Sequence, residues 1–177
     1  MVRPTAPHSN IIPDFWTAGT CQRMATVRIL LVDDFAPFRT YVRRLLEGHP
    51  EWEVIGEAGD GLDALQMAAE MQPDLCLIGR DLLGVSSHLI LLDISLPRLN
   101  GIDVAQQIGA IVQRSKILFL SSHCSQELAR AAMATGAMAY VVKWDADRDL
   151  LRAIITVMEG KWFVSNRLSG YELPDPT

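Results

Sequence analysis

Four apolar runs in this chain each end on a residue that can do chemistry. Val27-Arg28-Ile29-Leu30-Leu31-Val32 runs into Asp33-Asp34, and Leu89-Ile90-Leu91-Leu92 into Asp93. Ile117-Leu118-Phe119-Leu120 runs into Ser121, and Ala139-Tyr140-Val141-Val142 into Lys143. Taken singly, each has a bland explanation. An Asp-Asp pair after a strand is most often a turn or a helix cap, Asp93 and Ser121 can cap helices too, and a lone Lys143 is usually a solvated charge. Gathered in one place they mean something else. Three close carboxylates repel, which raises their pKa values unless a cation enters. One or two carboxylates with waters make a hard oxygen site suited to Mg²⁺, which leaves positions open for phosphate oxygens. An ammonium and a hydroxyl then neutralise and orient a transferring phosphoryl group. A carboxylate can be the nucleophile and form an aspartyl-phosphate.

Whether these groups meet depends on the elements that carry them. The runs are β-rich and nearly all apolar, as strands buried on both faces should be. Trp52 to Ala58 supplies a further strand. Between the strands lie helical patterns: Phe38 to Leu46 after Pro37, Leu62 to Met71 after the Gly59-Asp60-Gly61 turn, Gly101 to about Ile111, Gln126 to Thr135, and Asp147 to Glu159. Acids open the last helix, as its dipole prefers. Strands alternating with helices define an α/β chain with a parallel sheet and helices on both faces. Five such units favour a flavodoxin-like, doubly wound, five-stranded sheet of order 2-1-3-4-5. In that order strands one, three and four are neighbours and five lies beside four. Asp33, Asp34, Asp93, Ser121 and Lys143 then share one edge, the edge where such folds place their sites.

Bulk properties narrow the class further. The chain has 177 residues, 49% apolar and 21% charged, an ordinary globular balance with enough material for one core. A net charge of −5 gives no basic footprint for direct nucleic-acid binding. Cys21, Cys76 and Cys124 are odd in number and widely spaced, so neither a disulfide framework nor a zinc site is expected. They read as reduced thiols of a cytoplasmic protein. His8, His49, His88 and His123 show no metal-ligand spacing. No apolar run reaches the roughly 18 residues of a membrane span, and no secretory h-region follows the N-terminus. The expected organisation is a flexible extension over 1–25, one domain over 26–160 and a C-terminal tail over 161–177. Met24 stands directly before the first strand, so the extension need not belong to the natural product.

With these residues in place, the chain resembles the receiver domain of two-component response regulators over about residues 26–165. The residues that carry the likeness are Leu30 to Asp34, Leu91-Leu92-Asp93-Ile94-Ser95-Leu96-Pro97 with Asn100-Gly101, Leu120-Ser121, and Tyr140-Val141-Val142-Lys143. The resemblance implies that Asp93 is the phospho-acceptor. It implies that Asp33, Asp34, Asp93 and the Ser95 backbone carbonyl hold Mg²⁺. Ser121 is implied as the switch hydroxyl and Tyr140 as the aromatic that turns inward on activation. Lys143 is implied as the contact to phosphoryl oxygens, a role Ser121 shares. The implied partner is a sensor histidine kinase or phosphotransfer protein, followed by slow self-dephosphorylation rather than enzyme turnover, with a homodimer open. The implied output is a population shift of the face made by the fourth helix and the fifth strand and helix.

The segment Gly160-Lys161-Trp162-Phe163-Val164-Ser165 resembles the receiver end of NarL/LuxR-type transcription regulators. Their helix-turn-helix domain has no counterpart before Thr177, so DNA binding by this chain is not expected.

Three departures stand out. Trp144 follows the lysine where many receivers have proline, and Ser122 follows Ser121 where a small apolar residue is usual. The third is larger. Pro73-Asp74 is followed by Leu75-Cys76-Leu77-Ile78-Gly79, a near copy of Leu89 to Asp93 displaced by 14 residues, with Gly79 at the acceptor position. Only one copy can fill the central slot. The second keeps the acid and the Pro97/Gly101 loop, so it is the expected strand, with residues 75–88 as an insertion. Two other functions remain on these grounds. One is a pseudo-receiver, an interaction module that lost phosphorylation through the insertion. The other is a flavodoxin-like cofactor binder or phosphatase-like enzyme. That last class lacks support: no Gly-rich loop follows the first strand, and Asp93-Ile94-Ser95 lacks the second acid that aspartyl-phosphate hydrolases use as general acid–base.

Overall fold

The computed structural model describes residues 26–70, 87–112 and 115–168. The expected extension over 1–25, the upstream strand copy Leu75 to Gly79 and the last nine residues of the tail lie outside the described residues.

The chain alternates β1 (Val27–Val32), α1 (Ala36–Leu46), β2 (Trp52–Ala58), α2 (Gly61–Glu70), β3 (Ser87–Asp93), α3 (Gly101–Ile111), β4 (Lys116–Ser121), α4 (Gln126–Met133), β5 (Ala139–Val142), α5 (Ala146–Met158) and β6 (Phe163–Val164). All neighbouring strands pair parallel, in the order β2-β1-β3-β4-β5-β6. This is the flavodoxin-like α/β fold, with one correction. The sheet has six strands rather than five, because residues placed in a tail return and pair with β5. Two residues carry no periodicity to read, and what fixes them is tertiary: Phe163 opposite Ala139 and Val164 opposite Tyr140.

Side chains alternate across the strands, so each strand feeds two cores. Ile29, Leu31, Leu89, Leu91, Leu118, Leu120 and Val141 face α1 and α5. Leu30, Val32, Ile90, Leu92, Phe119, Tyr140 and Val142 face α2, α3 and α4. Burying one Leu or Ile side chain contributes roughly 1.5–3 kcal/mol. The run Leu89 to Leu92, buried on both faces, therefore holds the centre of the sheet more firmly than any polar contact could. It is the downstream copy that sits between β1 and β4. The insertion is shorter than expected, since residues 87–88 belong to β3 and pair with Val27 and Arg28.

The helix ends follow local chemistry. Pro37 occupies the first turn of α1. The Asp60 carboxylate accepts from the N–H groups of Leu62 and Asp63, and Asn100 does the same for Ile102 and Asp103. Ser125, not Ser121, caps α4. Among the described residues no helix is long and apolar enough to cross a membrane.

Candidate functional site

Register decides which side chains meet. Val32 pairs with Leu92, so Asp33 follows alongside Asp93; Asp93 pairs with Leu120, so Ser121 follows; Ser121 pairs with Val142, so Lys143 follows. One oxygen each from Asp33, Asp34 and Asp93 lies within 4.8 Å of the others. Asp33 and Asp93 are buried, while Asp34 is exposed at the mouth. Lys143 Nζ donates to Asp93 Oδ2 at 2.8 Å. It also lies 2.6 Å from Asp33 Oδ2, an ion pair bent away from hydrogen-bond geometry. The lysine side chain is only 12% exposed, which removes the reading of a solvated surface charge.

Burial pushes the Asp33 carboxyl above its ordinary value, against the lowering effect of Lys143. Burial also disfavours the charged Lys143, yet Asp33 and Asp93 outweigh it and hold the ammonium above its usual range. The other Asp33 oxygen accepts the Phe35 N–H at 2.9 Å, and Asp93 Oδ1 accepts the Ile94 N–H at 2.8 Å. The site thus combines an all-oxygen acidic cluster, a buried Asp33 oxygen without a hydrogen bond, and one shared cation. That donor set fits Mg²⁺, a hard cation that prefers carboxylates and water.

Of the remaining expected residues, Ser95 lies two positions past Asp93 on the β3–α3 loop, exposed, its hydroxyl 3.4 Å from His123 Nε2. Ser121 is fully buried and its Oγ accepts the His123 N–H at 3.1 Å. Tyr140 is also fully buried, and its hydroxyl donates to the His123 carbonyl at 2.8 Å. Burial raises the Tyr140 phenol pKa. The β4–α4 loop through His123 therefore ties Ser121, Tyr140 and Ser95 together. Trp144 is 76% exposed, so it adds nothing to the core.

Three neighbours of the site were not singled out by sequence. Arg39 donates through Nη1 to the Asp33 carbonyl at 2.6 Å and through Nε to Glu57 at 3.0 Å, holding the peptide from which Asp34 projects. A signal existed: an arginine so near the start of α1 opposes the helix dipole and needs another reason to be there. The Phe38 ring lies 4.8 Å from Lys143 Nζ, a cation–π contact that helical spacing alone marks as core. His123 has no spacing signal at all.

Comparison with known proteins bears on the family and the fold. A family profile described as "Response regulator receiver domain" matches residues 82–155. The transcriptional regulatory protein LiaR of Bacillus subtilis is 28% identical over 144 residues, covering 81% of this chain and 62% of its own length. The nitrate/nitrite response regulator protein NarL of Escherichia coli is 29% identical over 141 residues, covering 80% of this chain and 59% of its own. The chain therefore spans about three-fifths of each of these relatives. A two-component response regulator of the LuxR family from Aurantimonas sp. SI85-9A1 superposes with a TM-score of 0.70 at 28% identity, covering 83% of this chain and 95% of that one.

Proposed function

The chain carries a receiver domain of the response regulator family, and on that premise we propose that it is a phospho-accepting signalling switch with Asp93 as acceptor. The observation that carries this reading is the shared ammonium: Lys143 reaches Asp93 and Asp33 at once, in a buried acidic pocket. The donor is a phosphohistidine of a sensor kinase or phosphotransfer protein. An Asp93 carboxylate oxygen forms the new bond to phosphorus as the P–N bond breaks, and the imidazole nitrogen leaves with the bonding pair. Lys143 then neutralises charge on the equatorial oxygens, and the Ser121 hydroxyl, freed from the His123 N–H, turns to donate to one of them. Asp33, Asp34, Asp93 and the Ser95 carbonyl would hold Mg²⁺, which would supply further charge neutralisation. Tyr140 already lies inward, so its rearrangement with Ser121 passes through His123, whose N–H meets Ser121 and whose carbonyl meets Tyr140. Hydrolysis of the acyl phosphate is slow self-dephosphorylation, not turnover. By analogy with its relatives, the chain acts in the cytoplasm in control of transcription, without direct nucleic-acid contact by these residues and with self-association open.

The test uses Trp144, next to Lys143, as reporter. Mg²⁺ is titrated into the full chain and beryllofluoride or a small phosphoryl donor is added. A fluorescence response and one covalently bound phosphoryl group are expected, and Asp93→Ala should abolish both. A folded wild-type chain that shows neither leaves the pseudo-receiver, an interaction module, as the function.

A further inference from the structure

The C-terminal segment is wired to the turn that carries Lys143. Ser165 follows β6 and is 1% exposed. Its N–H donates to the Tyr140 carbonyl at 2.9 Å. Its Oγ accepts the Val142 N–H at 3.1 Å and donates to Asp149 Oδ2 at 2.8 Å. Asp149, near the start of α5, is fully buried, and no step of phosphoryl transfer uses it. Its other oxygen receives Arg148 Nε at 3.2 Å. Two residues beyond Ser165, Arg167 Nε meets Asp145 Oδ2 at 2.6 Å. Asp145 closes the 3-10 turn Lys143–Asp145, and Arg148 reaches its other oxygen at 3.4 Å. The Arg167 carbonyl lies 3.6 Å from Cys124 Sγ, on the loop that follows Ser121.

From this wiring we infer that Ser165 and Arg167 are positioning residues for Lys143, and that docking of the C-terminal segment is thermodynamically linked to occupancy of the phosphoryl site. The inference rests on the receiver reading. A three-residue 3-10 turn has poor hydrogen-bond geometry and little stability of its own. Trp144, its middle residue, is 76% exposed and lends the turn no packing. Its anchors are side chains. Ser165 satisfies the N–H directly before Lys143, and Arg167 holds the acid two residues after it. Closing the β5 edge would account for the β6 pairs and for buried Leu168. It does not account for the two carboxylates that reach this segment, Asp145 from the lysine turn and Asp149 from the first turn of α5. Coupling of this kind is reciprocal. A group that draws Lys143 towards phosphoryl oxygens moves the turn, and the segment responds. A change in the segment shifts the ammonium in return.

The experiment compares beryllofluoride affinity, at saturating Mg²⁺, in the full wild-type chain, Arg167→Ala, Arg167→Lys, Asp145→Asn and the Asp145→Asn/Arg167→Ala pair. Arg167 is half exposed, so the fold should tolerate its loss. Arg167→Ala and Asp145→Asn should each weaken binding about fivefold or more. The double variant should be no weaker than either single, and Arg167→Lys should recover part of the loss. Amide exchange over residues 163–168 of the wild-type chain should change when beryllofluoride binds, a readout that needs no variant. Variants that bind as tightly as wild type, or exchange in 163–168 indifferent to beryllofluoride, overturn the inference and leave the receiver reading standing. A wild-type chain that binds no beryllofluoride overturns both.

Discussion

Asp33 carries the sharpest conflict in the molecule: a fully buried carboxylate that must be charged to hold a cation. Burial raises its pKa and Lys143 only partly compensates. A carboxyl whose folded pKa is raised binds its proton more tightly in the native state. The stability this confers is complete below the ordinary carboxylate value and is lost as pH rises through the folded pKa. In metal-free protein at pH 7, Asp33→Asn should therefore stabilise the fold by about 1 kcal/mol, the scale on which functional strain is usually relieved. Urea denaturation of both chains in chelator, repeated at several pH values, checks this. The gap should widen as pH rises above the ordinary carboxylate range, and an Asp33→Asn chain less stable than wild type at pH 7 would contradict it. At this scale sequence was informative where chemistry was concentrated. Asp33, Asp34, Asp93, Ser121 and Lys143 each end an apolar run, and their types are odd for such places unless they meet. Arg39 escaped because it reaches the site through the Asp33 backbone carbonyl, and His123 because it acts through its own N–H and carbonyl, which no residue pattern displays.

The β3–α3 loop shows how elements set the site. It leaves Asp93, passes Ser95 and turns back so that the Gly101 N–H donates to the Ile94 carbonyl at 2.8 Å. A Cβ on Gly101 would run into the carbonyl oxygen of Asp93 and close on Ile94 Cα. Those are backbone atoms at the end of β3 and just beyond it, and they cannot rotate away. Gly101→Ala should cost about 2 kcal/mol, typical of forced overpacking, and should weaken Mg²⁺ binding by pushing Asp93 and Ser95 apart. Calorimetric Mg²⁺ titration beside a thermal melt reads both, and unchanged affinity would show that the loop yields elsewhere. Arg98, on the same loop, sits at φ +64, a strained conformation for a non-glycine residue, pinned by Asp60 and Asp63. Strand and helix limits were legible from apolar runs and breakers. The β1–β2 bulge between Ile29 and Leu30 and the two residues of β6 were not, since both are settled by pairing partners distant in sequence.

Across the whole molecule the open competition was between two copies of one strand, and topology shows which copy is central. Residues 89–93 lie between β1 and β4 and take their register from those two strands. Deleting residues 75–88 would join Pro73-Asp74 directly to Leu89. By register Asp74 would then stand where His88 now faces Arg28. His88 is buried, its pKa is lowered by burial and by Arg28, and Arg28 Nη1 lies 3.4 Å from its ring. Placing an acid opposite Arg28 exchanges a neutral ring acceptor for an opposite charge, so the start of β3 loses little. The deletion variant should fold, melt within a few degrees of the full chain, and take up a phosphoryl group on Asp93 from a small donor at a comparable rate. Intact mass after donor treatment and a thermal melt read the outcome. A folded deletion variant that cannot be phosphorylated would assign the inserted residues a part in the site. Equal uptake would place them outside the chemistry, and the duplicated strand would then be a sequence event that the sheet resolved by keeping the copy that ends in an acid.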